Sequence, residues 1–231
     1  VYRLEFADVY DVDFFASDII KDQEGTSTVS SVTTTYSYNT TDNRLDPSAG
    51  TDLNASWEFA GIGGTEHYSK YILNVRHFWP FVWGTVLSAR GQVGYVHDWQ
   101  NNEDVPIDER FYLGGISTIR GFENREVGPR DEFGDFIGGE TEAFFNFEFI
   151  FPLYEELKIK GVTFFDVGNA WSSDDYWDED DQVFGSWRYS AGAGIRWLSP
   201  LGPMRFEYGY NLDARDYESD SKFDFMIGRF F

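Results

Sequence analysis

The chain has 231 residues, no cysteine, and a formal net charge of −22 from 40 acidic and 18 Lys or Arg side chains. This balance excludes a nucleic-acid binder, which needs concentrated cationic side chains, and the lack of thiols excludes disulfides, zinc–thiolate centres and a cysteine nucleophile. Aromatic residues at 19% beside charged residues at 25%, with a mean hydropathy of −0.43, require elements with one apolar face and one wet face.

Period-two alternation dominates from the first residues. It predicts strands over 1–15, 27–41, 50–61, 67–79 and 83–98, then, after a long polar segment at 99–139, over 140–152, 157–171, 186–199, 202–216 and 221–231. No segment shows a helical stripe, and no window of about 18 apolar residues marks a transmembrane helix. In the sixth segment Phe145, Phe147, Phe149 and Phe151 share one face, opposite Glu142, Asn146 and Glu148. In the eighth Tyr189, Ala191, Ala193, Ile195 and Trp197 oppose Arg188, Ser190 and Arg196, and in the ninth Met204, Phe206, Tyr208, Tyr210 and Leu212 oppose Arg205, Glu207 and Asn211.

Strands of about ten residues, tilted by about 45°, are long enough to cross a bilayer's hydrocarbon core. Two patterns favour that reading over a soluble β-sandwich. The turns at 151–157 and 199–203 are short, whereas 99–139 and 172–185 are long and polar. Trp79, Trp83, Trp99, Trp171, Trp187 and Trp197 recur near strand ends, where an interfacial aromatic girdle forms. The expected fold is all-β: an antiparallel transmembrane barrel with about ten strands present.

Catalytic signatures are absent. The chain has no G-x-S-x-G elbow, no H-E-x-x-H, and in "GAGIRW" (192–197) no third glycine of a dinucleotide loop. His67, His77 and His97 fall in three separate strands, and "SSDDYWDEDD" (172–181) lacks calcium-loop spacing. No catalytic residue, metal or cofactor is expected.

The dense stretch lies inside the long segment: "GGISTIRGFENREVGPR", 114–130. It resembles the sixth outer loop of the BamA-type outer-membrane protein insertases, in which a [V/I]-R-G-[F/Y] tetrapeptide folds back into the barrel lumen; here the tetrapeptide is Ile119, Arg120, Gly121 and Phe122. "FYLGG" (111–115), "FFDVGNAW" (164–171), "SPLGPMRFEYGYNL" (199–212) and the terminal "KFDFMIGRFF" resemble further segments of that family in the same order, over nearly the whole chain.

The resemblance implies a sixteen-strand parent barrel preceded by POTRA domains, of which residues 1–231 form the C-terminal part. The opening "VYRLEFADVYDVDFF", which has no signal-peptide pattern, accords with that expectation. It implies assembly and insertion of client β-barrel proteins into the bacterial outer membrane, without chemistry, by lateral opening at a weak seam where the first and last strands meet, with outer-membrane lipids and accessory assembly lipoproteins as further partners and no nucleic acid. A buried arginine requires carboxylate partners. Glu148 and Asp166 lie on the wet faces of their strands and match the positions where the family's loop arginine finds acidic partners. The closing strand carries Phe223, Phe225, Ile227 and the terminal Phe231 on one face, with Gly228 where relatives kink the strand. A polypeptide exporter of the same family (two-partner secretion transporter or TamA branch), a diffusion porin and a barrel hydrolase stay open at this point. For the loop, exchanging charges by Arg120→Glu with Asp166→Arg is expected to restore part of the docking lost in Arg120→Ala.

Overall fold

A computed structural model describes residues 1–10, 21, 23–100, 105–131, 133–172, 186–200 and 202–228. Ten strands form one antiparallel sheet in strict chain order: β1 Tyr2–Val9, β2 Gly25–Asn39, β3 Gly50–Ala60, β4 Tyr68–Pro80, β5 Val86–Asp98, β6 Thr141–Tyr154, β7 Ile159–Trp171, β8 Arg188–Ser199, β9 Gly202–Asn211 and β10 Ser221–Ile227. Every strand expected from alternation is present. Several boundaries differ by two residues or more, most at β1, β5, β9 and β10. Residues 11–15 lie outside the described set, and β9 stops at Asn211 because Asp213 turns the chain, its carboxylate accepting from the Tyr189 amide at 3.1 Å and from Arg188 Nε at 2.7 Å. Two single-turn 3₁₀ segments, Val82–Gly84 and Ile107–Glu109, were not anticipated by the alternation. The sheet is not closed; β1 and β10 are its outermost strands.

Burial is inverted relative to a water-soluble sheet. Arg196, Asp166 and Glu207 are among the fully buried side chains, while Trp57, Tyr71, Phe147, Tyr208 and Phe223 are exposed. Polar groups inside and apolar groups outside are what a wall facing lipid requires. No helix is long and apolar enough to cross a membrane, which says nothing about crossing by strands.

The connections sort by end. The strand ends joined by 40–49, 81–85, 155–158 and 200–201 lie at one end of the sheet, and those joined by 10–24, 61–67, 99–140, 172–187 and 212–220 at the other. Among the shorter set, 40–49 is a folded turn organised by Asp42, whose carboxylate accepts from Ser48 Oγ at 2.5 Å and from the Asn43, Ser48 and Ala49 amides at 3.0, 2.9 and 3.2 Å. The turn bends inward, burying Pro47 and placing the Asp46 carboxylate 2.6 Å from Lys160 Nζ on β7. The Ser48 hydroxyl, with those amides, holds the Asp42 carboxyl down at about 2, from an ordinary 3.8. A depressed carboxyl contributes order that is fully present above its unfolded value and lost as pH falls through the folded one. The amide chemical shifts of residues 42–49 are therefore expected to hold from neutral pH to about pH 4 and to collapse towards pH 2. Asp42→Ala should give the collapsed pattern already at neutral pH.

The described residues of the long 99–140 connection fold back against the inner wall. Its own residues pair through isolated bridges, Phe111 with Gly139, Leu113 with Val127 and Arg130 with Phe136. Its Val105, Phe111, Leu113, Ile119, Phe122 and Val127 join wall residues Val29, Tyr68, Val96 and Phe144 in one apolar cluster. This burial gives the loop a fixed place on the inner face and brings the tetrapeptide over β6–β9.

Candidate functional site

The tetrapeptide is delivered by backbone chemistry that only particular residues allow. Gly114 and Gly115 have φ of +108° and +83°, and a Cβ on Gly114 would collide with the Glu123 carbonyl. Thr118 Oγ accepts from the Gly114 amide at 2.8 Å and donates to the Gly114 carbonyl at 3.0 Å, closing the turn. The wall then grips the loop backbone: Asn146 Nδ2 donates to the Thr118 carbonyl at 2.6 Å and Arg90 Nη1 to the Ser117 carbonyl at 2.8 Å. Gly121, at φ +91°, lies directly on Gly209 of β9; a Cβ on Gly209 would come within 2.7 Å of the Gly121 Cα. Two glycines thus let two backbones touch, and that contact sets how deep Arg120 reaches.

Arg120 enters a carboxylate cage. Its Nε and Nη2 fork onto Asp166 at 2.7 and 2.6 Å, its backbone amide donates to the same carboxylate at 3.0 Å, and Nη1 reaches Glu148 at 2.8 Å and Glu207 at 3.1 Å. The guanidinium lies 3.6 Å from the Phe164 ring centroid. Burial alone would lower the Arg120 pKa, but Asp166, Glu148 and Glu207 hold it well above its ordinary value, so the side chain is charged at any working pH.

Both acids expected from the sequence, Glu148 on β6 and Asp166 on β7, meet Arg120. Glu207 on β9 was not singled out, nor were the two further arginines of the cluster. Arg196 Nη1 and Nη2 fork onto Glu148 at 3.0 and 2.6 Å, with Nε on Glu207 at 3.0 Å. Arg205 Nη2 reaches Glu207 at 2.6 Å. Arg196 and Arg205 are direct cross-strand partners, a like-charge pairing that destabilises a sheet unless neutralised. Glu148, Asp166 and Glu207 lie between the Arg120, Arg196 and Arg205 guanidinium groups and offset that repulsion. Alternation had placed all of them on the wet face; the missing signal was register, which decides which wet residues are neighbours.

Elsewhere in the tetrapeptide, Ile119 and Phe122 are buried, and Arg188 lies 4.8 Å from the Phe122 ring centroid. On β10, Phe223, Phe225 and Ile227 alternate on the outer face and are exposed, with Phe225 tilted against Phe206 at 4.9 Å. Gly228 follows at φ +104°, its amide donating to the Pro203 carbonyl at 2.8 Å. Phe231 lies outside the described residues, as does the acidic run beyond 172. Among the described residues no group of three His, Cys, Asp or Glu side chains could hold a metal ion.

The arrangement holds a loop inside a polar-lined, lipid-faced wall. Residues 2–231 match the family model described as the Omp85 superfamily domain. The chain belongs to the Omp85 superfamily. Among curated Omp85 relatives, the outer membrane protein assembly factor BamA of Nitratidesulfovibrio vulgaris is 38% identical over 235 residues, spanning 100% of this chain and 29% of that protein. The factor of the same name from Neisseria meningitidis serogroup B is 30% identical over 222 residues, spanning 85% of this chain and 28% of the relative. The chain therefore covers under a third of the length of either. Among solved Omp85 structures, BamA from Haemophilus ducreyi lacking POTRA domains 1–3 superposes with a TM-score of 0.76 at 23% identity, over 87% of this chain and 42% of that one.

Proposed function

We propose that this chain is the C-terminal barrel wall of an outer-membrane protein assembly factor, acting in the Gram-negative outer membrane on client β-barrel proteins. The observation that carries this reading is the Arg120 cage: a loop tetrapeptide seated in the lumen by carboxylates from β6, β7 and β9. The identity to assembly factors across all or most of this chain supports it over an exporter or porin. Unpaired strand edges are costly in lipid, and this reading takes further strands of a parent protein to complete the wall beyond β1, with periplasmic POTRA domains before them. Accessory lipoproteins and outer-membrane lipids complete the working assembly.

The physical cycle requires no covalent step. A client strand brings unpaired backbone groups and an apolar face; pairing along the β10 edge, exposed when a seam between the parent's first and last strands opens sideways, satisfies the first, and entry into lipid buries the second. The docked loop keeps the inner wall charged and rigid behind that edge, so the edge is presented in one register.

The test reconstitutes the full-length protein in liposomes and follows the folding of an added, urea-unfolded barrel protein by its resistance to protease. Folding is expected to run faster than in empty liposomes. Steady ion conductance without any acceleration of client folding would instead assign the wall to a diffusion porin.

A further inference from the structure

Beyond the arginine cage, the long loop touches β1 and β10, each time through a loop carboxylate on a strand cation. At one side Glu109, in the 3₁₀ turn, lies 2.5 Å from Arg3 Nη2 on β1 and 3.2 Å from Lys70 Nζ on β4. Arg3 also reaches Glu58 at 2.8 Å and hydrogen-bonds the Tyr68 hydroxyl. The carboxylate is buried, which alone would raise its pKa, yet Lys70 and Arg3 keep it below the ordinary range, so it is anionic. Gln23 reinforces the position by accepting from the Ile107 amide at 3.1 Å.

At the other side Glu123, two residues past Gly121, lies 2.6 Å from Lys222 Nζ on β10. The placement follows from register. Lys222 is the cross-strand partner of Gly209, the residue on which Gly121 rests. A loop seated on β9 by its glycine thus has its next acidic side chain over the neighbouring strand. The polarity is opposite to that of the central cage: there a loop cation meets wall anions, and at both flanks loop anions meet wall cations.

We propose that the loop is a cross-lumen tie, in which Glu109 is the positioning residue for β1 and Glu123 the positioning residue for β10. This deepens the proposed function and rests on lumen seating of the loop by Arg120. With β10 as the client-pairing edge, Glu123 sets where that edge stands relative to the wall across the lumen.

The experiment is hydrogen–deuterium exchange on the full-length protein in lipid nanodiscs, read in peptides covering 2–9 and 221–227. Glu123→Gln is expected to raise exchange in 221–227 by about two- to fivefold, the range for a partly exposed ion pair, and to leave 2–9 unchanged. Glu109→Gln should raise exchange in 2–9, by roughly tenfold given its burial, and leave 221–227 unchanged. The exchanged pair Glu123→Lys with Lys222→Glu should return 221–227 only part of the way to the parent rate, because Lys222 also pairs with Asp224 at 3.7 Å, and a merely destabilised loop would show no return at all. Unchanged exchange at both strands, or a uniform rise over all ten strands, overturns the tie. If the two glutamine variants behave as expected while Arg120→Ala moves neither strand, the tie stands and the Arg120 seating fails.

Discussion

Arg120→Ala should release the long loop from the lumen, seen as rapid cleavage within 114–130 by a protease that leaves the parent loop intact. Asp166 is fully buried, and among the described residues its hydrogen bonds all come from Arg120. Removing the cation strands that carboxylate, and breaking one partner from a buried ion pair costs about 3–5 kcal/mol. That shifts the ratio of seated to released loop by roughly two to four orders of magnitude. Arg196 remains on Glu148 and Glu207, so the wall itself should keep its fold. Arg120→Lys should recover only part of the loss, because an ammonium cannot reproduce the fork on Asp166 while reaching Glu148. The exchange of Arg120→Glu with Asp166→Arg, attractive when one partner acid is assumed, is now expected to fail. A glutamate at 120 would face Glu148 and Glu207, both within 3.1 Å of the present guanidinium.

Gly209→Val should unseat the loop without altering any charge. A side chain there would meet the Gly121 amide and lie 2.8 Å from the Arg120 carbonyl carbon, so the two backbones must separate. Overpacking of this kind costs about 1–3 kcal/mol, and the displacement also draws Arg120 away from its cage. Protease sensitivity of 114–130 should rise as in Arg120→Ala, while heat-modifiable mobility of the barrel on electrophoresis should persist. A fully protected loop in Gly209→Val would show that the close approach of the two backbones is not what seats it.

Much of this architecture is written in local pattern. Alternation located ten strands and assigned their faces, because a lipid-facing wall repeats one physical demand every second residue, and Phe145–Phe151 or Tyr189–Trp197 answer it throughout. The same alternation put Glu148 and Asp166 on the inner face, and the loop motif supplied the reason to connect them with Arg120. Glu207, Arg196 and Arg205 carried the same polar-face signal, but choosing among wet residues requires the register of β6 through β9, which depends on turn geometry rather than on any residue alone. Glu109 and Glu123 were illegible for a different reason. They sit in irregular backbone with no period, where an acidic residue reads as solvated until the chain around it is folded. The inward bend of 40–49, fastened by Asp46 to Lys160 across 114 positions of sequence, is equally a property of the assembled sheet.

Because the chain has no cysteine, one introduced thiol reports cleanly on this segment. Ile119→Cys places it beside Arg120 at a position with 0% exposure, and Phe133→Cys places a control in the same loop at 52%. In the intact membrane-embedded protein, labelling by a bulky membrane-impermeant maleimide should be fast at position 133 and negligible at 119, and adding Arg120→Ala should make 119 react. Equal labelling at both positions in the parent protein would mean that the loop lies outside the lumen, contradicting the arginine cage as its seat.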